Sequence, residues 1–204
     1  MDPPARSALI NPREMGCEEL RLQSREVSLT AVFAALYVAI NVVQMFSIGN
    51  PLISGPIQLR VADCLIALAA LLGWPVVFGV TTGCVVANVI SNMMYFLGPI
   101  DIIMGPFANL VAASLVFLFW RRRLLACVVG ALPVGLIVGG YLWWFFDAPE
   151  VLAFMPAWLG MIASITLSSL IAVTVIGYSL LTILSRPSIV EPLKSRGLEV
   201  LEKS

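Results

Sequence analysis

Histidine is missing from all 204 positions of this chain. Its absence removes the commonest general base and the commonest metal ligand together. No Ser–His–Asp relay can be assembled, and no serine stands in a nucleophile-elbow setting. A Gly-rich phosphate loop ending in Lys-Ser or Lys-Thr is also missing, so ATP is not hydrolysed by that route. The four cysteines, Cys17, Cys64, Cys84 and Cys127, show no CxxC spacing. Three of them lie in apolar runs, where cysteine usually serves as a small buried hydrophobe. Net charge is zero, which leaves no basic excess for nucleic acid. An enzyme is not expected, nor is a cofactor or a metal.

Charge is scarce in the middle of the chain as well. Between positions 27 and 185 the only charged residues are Arg60, Asp63, Asp101, Arg121, Arg122, Arg123, Asp147 and Glu150. The hydrophobic fraction is 60% and mean hydropathy is +0.98. That composition belongs to integral membrane proteins, because a soluble fold of this size has too little interior to hide so much apolar surface. Residues 1–26 carry nine charges and no apolar core, so they do not read as a secretory signal peptide. A polar helix over 14–26 is expected to lead into the membrane domain at 27–185. Residues 186–204 are again charged and read as a soluble tail, with both tips poorly ordered.

A membrane helix needs about 20 residues to cross the hydrocarbon layer. The apolar runs and their Gly/Pro breaks predict an all-α, six-helix membrane bundle with spans at 27–48, 57–72, 75–92, 99–120, 124–146 and 157–184. The second span is short, and a helical hairpin dipping into the membrane fits the second and third runs equally well. Orientation follows from the basic residues. With both termini cytoplasmic, 11 of the 12 basic residues fall inside, and Arg60 alone falls outside. The expected location is the cell membrane. Tyr141, Trp143, Trp144 and Trp158 then read as an outer aromatic belt, with Trp74 and Trp120 at the inner boundary.

This orientation gathers the polar residues near the outer face. Arg60 and Asp63 are three apart and share a helix face, with Gln58 just before them. Asn88 and Asn92 are four apart near the end of the third span. Asp101 opens the fourth, and Asn109 follows on the same stripe. Charged groups in a membrane segment are costly and by default line a polar site. Structural roles fit each residue singly: a helix cap for Asp101, an ion pair or a snorkelling side chain for Arg60, interhelical hydrogen bonds for the asparagines. Convergence on one face favours a site. On the first span, Ala31, Ala35 and Ala39 recur every four residues. That stripe suits either packing within the chain or docking of another membrane protein.

The run Gly55-Pro56-Ile57-Gln58-Leu59-Arg60-Val61-Ala62-Asp63, then Gly83-Cys84 with Asn88, then Asp101-Ile102-Ile103 with Gly105, resembles the queuosine-precursor transporter family. These are substrate-capturing (S) components of energy-coupling-factor importers. The resemblance spans roughly 27–185 and implies a six-helix S-component whose substrate sits near the outer face beneath a lid at 49–55. It further implies that Ala31, Ala35 and Ala39 contact a transmembrane coupling subunit driven by two separate ATPases. The implied ligand is a 7-deazaguanine, such as queuine or its cyano or aminomethyl precursors. Its guanine-like edge offers adjacent N–H donors to a carboxylate, and amide side chains complement its carbonyl and ring nitrogens. Gln58, Arg60, Asp63, Asn88, Asn92 and Asp101 are the candidate substrate-binding residues. An S-component for another metabolite such as a vitamin stays open, as do a membrane enzyme using Asp63 and Asp101 and a purely structural subunit.

Overall fold

The computed structural model describes residues 12–47, 60–95, 99–146, 149, 152, 154–195, 197–198 and 200–201, with side chains from Ser24 onward. The lid expected at 49–55, together with Gln58, Asp147 and Glu150, lies outside the described residues. Every described element is helical. Helix α1 runs without a break from Pro12 to Ser47, so the polar helix and the first span are one rod. Pro12 suits its first position, where an N–H has no helical partner. Helix α2 spans Val61–Leu72, α3 Trp74–Tyr95 and α4 Pro99–Leu118. A single turn at Trp120–Arg122 leads into α5 at Arg123–Leu142; α6 covers Ala157–Leu184 and α7 Pro187–Ser195.

Five of these helices are long and apolar enough to cross a membrane, with mean hydropathy between 1.6 and 2.2. Their outer surfaces expose Leu36, Phe78, Phe107, Leu136 and Leu167, as lipid contact requires. Six hydroxyls on these helices are satisfied locally: Ser28, Thr30, Thr81, Thr82, Ser179 and Thr182 each donate to the carbonyl four residues back. Without water, this internal bond is how a lipid-facing hydroxyl avoids a desolvation cost.

The second predicted span is the exception in length. Helix α2 has its first eight residues wound as a 3-10 helix and only Ala69–Leu72 as α-helix. At about 2.0 Å per 3-10 residue and 1.5 Å per α residue it reaches roughly 22 Å, short of a bilayer core of about 30 Å. It need not meet lipid, because residues 62–71 are all buried. The other helices surround it, and its closest approach is to a π-wound stretch of α6, Leu170–Gly177. A Cβ on Gly177 would sit 2.7 Å from the Cys64 carbonyl oxygen and 2.8 Å from Ala67 Cβ. The tight coil of α2 and the absent side chain of Gly177 together let these backbones touch.

Close approach elsewhere also depends on glycine. Gly79 and Gly83 on α3 press against α1, where a Cβ on Gly83 would be 2.8 Å from both the Ala34 oxygen and Tyr37 Cβ. Gly135 and Gly139 on α5 do the same against Thr166 and Ile162 of α6. Small residues four apart are the usual means of packing membrane helices. Gly73, at φ 66°, makes the left-handed turn that reverses the chain from α2 to α3.

The segment after α6 folds back on the bundle. Val190 of α7 is buried, the Leu201 N–H donates to the Leu71 carbonyl at 2.8 Å, and Arg25 donates to the Gly197 carbonyl at 3.4 Å. That strap closes a small cavity of about 130 Å³ among Arg25, Leu72, Trp74, Phe117 and Leu198. The soluble tail expected from its charge is therefore partly a packed element.

Candidate functional site

At the end of the bundle opposite Gly73 and Trp74, a fully buried tyrosine on α1 joins three other helices. The Tyr37 hydroxyl donates to Asp63 Oδ1 at 2.8 Å. It accepts from Asn109 Nδ2 at 2.8 Å and from Arg60 Nη2 at 3.4 Å. One donor and two lone pairs are all a hydroxyl has, so its bonding is complete. Arg60 Nε lies 3.8 Å from Asp63 Oδ2, an ion pair three residues apart. The same guanidinium faces Cys84 Sγ at 3.7 Å. Arg60 is only 5% exposed and Asp63 fully buried, so Arg60 pairs inward and does not snorkel.

The start of α2 is held by neighbouring side chains. The Arg60 N–H donates to Ser168 Oγ of α6 at 3.3 Å, and the Val61 N–H to Gln44 Oε1 of α1 at 3.1 Å. First-turn amides have no helical partner, so these contacts satisfy donors that would otherwise be orphaned. A second group lies nearby in the sequence pattern. Asp101 Oδ1 accepts from the Tyr141 hydroxyl, and Asn88 Nδ2 donates to the Asp101 carbonyl at 2.7 Å. Gly105 makes room for this, since a Cβ there would overlap Asn88 Nδ2.

Several buried polar atoms in this region have no hydrogen-bond partner: Arg60 Nη1, Asp63 Oδ2, Asn92 Oδ1, Asn109 Oδ1, Ser164 Oγ and Ser169 Oγ. An unmet buried group costs about 1–3 kcal/mol. Together they offer one guanidinium donor, three oxygens that accept and two hydroxyls that do either. The arrangement suits a small polar molecule with both donors and acceptors.

The expected residues thus divide. Arg60 and Asp63 meet at Tyr37, while Asn88 and Asp101 meet beside Tyr141. Asn92 is half-buried with a free carbonyl oxygen, and Gln58 lies outside the described residues. Ala31, Ala35 and Ala39 are exposed on α1, while the close contact with α3 runs through Ala34 instead. Sequence reasoning missed Tyr37, Gln44 and Ser168. It also placed Tyr141 in the aromatic belt, whereas its ring turns inward and Trp143, Trp144 and Trp158 stay exposed. Cys84 is buried as expected, and additionally meets Arg60. The signal available for Tyr37 was a lone hydroxyl-bearing ring inside an apolar run, whose O–H needs a partner when buried.

A family model described as "QueT transporter" matches residues 27–186. The chain belongs to the QueT transporter family. None of the curated proteins and none of the solved structures compared with it matches. The QueT match covers all the membrane helices from Val27 onward and both polar groups, from Tyr37 to Ser169. Membership in QueT, with five long apolar helices, makes this a multi-pass membrane protein of a transporter family.

Proposed function

We propose that this chain is the substrate-binding membrane subunit of an energy-coupling-factor type importer that takes up a queuosine precursor or a related 7-deazaguanine. The observation that carries the reading is the set of unmet buried groups around Tyr37, in a chain of the QueT family. Asp63 Oδ2 would accept the ring and exocyclic N–H donors of the guanine-like edge. Arg60 Nη1 would donate to its carbonyl, and Asn109 Oδ1 or Asn92 Oδ1 would accept a further N–H. Asn88 and Asp101 would shape the wall beside Tyr141, and Gln58 would contribute from the segment preceding α2. No catalytic role is assigned to any of them.

The basic residues favour both termini in the cytoplasm of a cell-membrane protein, with Arg60 alone toward the outside. The domain reading is a cytoplasmic segment at 1–26, a membrane domain at 27–185 and a cytoplasmic tail at 186–204. Exposure of Ala31, Ala35 and Ala39 supports this stripe as the face for the transmembrane coupling subunit, with two ATPase subunits supplying the energy.

The test is thermal stabilisation of the purified subunit by queuine, its cyano and aminomethyl precursors, and a panel of vitamins. A ligand at 100 times its Kd stabilises by about 2.7 kcal/mol, so the shift is readily measured. Stabilisation by a 7-deazaguanine is expected. Stabilisation by a vitamin alone would make the chain an S-component for another metabolite, and none at all would defeat the binding role.

A further inference from the structure

We infer that the cleft formed by Arg122, Arg123 and Tyr178 at the basic end of the bundle is a binding site for the headgroup of an anionic phospholipid. The cleft, of about 460 Å³, is lined by Arg122, Arg123, Leu124, Leu125 and Tyr178. It joins the start of α5 to the last turns of α6 and shares no residue with the polar groups around Tyr37. Its lining has two characters. Leu124 and Leu125 are 53% and 42% exposed on the lipid-facing surface, where acyl chains run. Arg122 and Arg123 immediately precede these leucines in the chain, so their charged side chains border that apolar surface.

Three features separate this cleft from a plain run of topological positive charge. Arg123 Nε is buried and has no hydrogen-bond partner. A desolvated guanidinium donor lacking an acceptor is costly, and a phosphate oxygen matches its geometry. Neither arginine is paired with a carboxylate among the described residues. Finally, the cleft lies at the first turn of α5, which has no side-chain cap, and the N-terminal end of a helix favours an anion. Tyr178 also lines the cleft, and its hydroxyl is a neutral donor. Arg121 is set apart from this group, because its guanidinium lies over the Trp120 ring at 5.6 Å from the centroid.

A basic pocket between membrane helices that opens onto apolar surface is the form anionic-lipid sites take. Zwitterionic lipid carries a phosphate but also a choline, which the neighbouring arginines repel. The site therefore selects net negative headgroups. It lies remote from the proposed substrate groups and stands whether or not a 7-deazaguanine is the cargo.

The experiment titrates the full chain, in neutral detergent micelles, with phosphatidylglycerol or phosphatidylcholine and counts bound lipid by native mass spectrometry. Binding of phosphatidylglycerol at least about tenfold tighter than phosphatidylcholine is expected, equivalent to about 1.4 kcal/mol. Arg123→Gln should weaken it about tenfold, whereas Arg121→Gln should leave it within about twofold, in line with the strength of a charge-assisted bond. The two variants remove the same charge from the same run, so only the geometry differs. Tyr178→Phe changes no charge and should weaken binding about threefold, for the loss of one hydrogen bond; it decides the matter if Arg123→Gln does not fold. Equal binding of the two lipids, or equal loss in Arg121→Gln and Arg123→Gln, would overturn the site. Displacement of the lipid by an equal concentration of inorganic phosphate would also overturn it, by showing a free-anion site.

Discussion

Removing the Tyr37 hydroxyl is the sharpest test of how the buried polar groups hold together. Tyr37→Phe keeps the ring and its packing, so no cavity term arises. What is lost is one oxygen that serves Asp63 Oδ1 and Asn109 Nδ2, both at 2.8 Å, and Arg60 Nη2 at 3.4 Å. Asp63 and Asn109 are fully buried, so water cannot replace it. At about 1–3 kcal/mol for each stranded group, two strong partners give a loss near 3 kcal/mol. For a chain of this length that corresponds to a fall in Tm of roughly 6–12 °C. The assay is thermal unfolding of the detergent-purified chain by intrinsic tryptophan fluorescence. The coupling can be isolated as well. If Asn109→Leu is added, the stranded amide disappears with its partner, and the double variant should lose about 1–2 kcal/mol less than the sum of the singles. A Tm for Tyr37→Phe within 2 °C of the parent would refute the account, as would strict additivity with Asn109→Leu.

Gly83→Val should destabilise α1 against α3 by more than about 3 kcal/mol, since its side chain meets the Ala34 backbone; loss of folded protein after extraction in mild detergent checks this. Gly177→Leu should have a comparable effect on α2, whereas Gly140→Leu, where a Cβ meets nothing within 4 Å, should change Tm by little. Ala35→Trp adds bulk to an exposed face, so it should block co-purification with a coupling subunit while leaving ligand-induced stabilisation intact; loss of ligand binding would place the stripe inside the fold. Leu201→Pro removes the N–H that meets the Leu71 carbonyl and should free the C-terminal strap, read as faster proteolysis after Ser195 at a cost of about 1 kcal/mol in stability.

The long helices were legible because apolar runs of span length with Pro and Gly at their ends leave few alternatives. The pairing of Arg60 with Asp63 was legible from a spacing of three on a helix. Other features depend on tertiary contact and have no local mark. Nothing in Val61-Ala62-Asp63-Cys64 distinguishes a 3-10 winding from an α-helix; the choice follows from burial against Gly177, more than a hundred residues away. The alanine stripe on α1 and the glycine pair on α3 have the same four-residue period. Sequence alone does not say which pair the fold uses internally, and the structure uses Gly79 and Gly83. Tyr141 was misplaced because its neighbours Trp143 and Trp144 do face outward, and two residues around a helix turn the side chain by more than half a circle.

The short second helix also bears on how the chain is made. A transmembrane helix normally enters lipid as a unit that is stable by itself, but Val61–Leu72 is too short for that and brings Arg60 and Asp63 with it, each disfavoured by about 2.5–3.5 kcal/mol at mid-membrane. Its hydrogen-bonding hydroxyl on α1, that of Tyr37, is already synthesised when it emerges. Its backbone neighbour, Gly177, and the Ser168 that holds its first turn are not. The contacts that α6 makes with α2 can therefore form only after the other long helices have been made. A chain cut before α6 should be cleared by membrane quality control, although four of its long helices are complete.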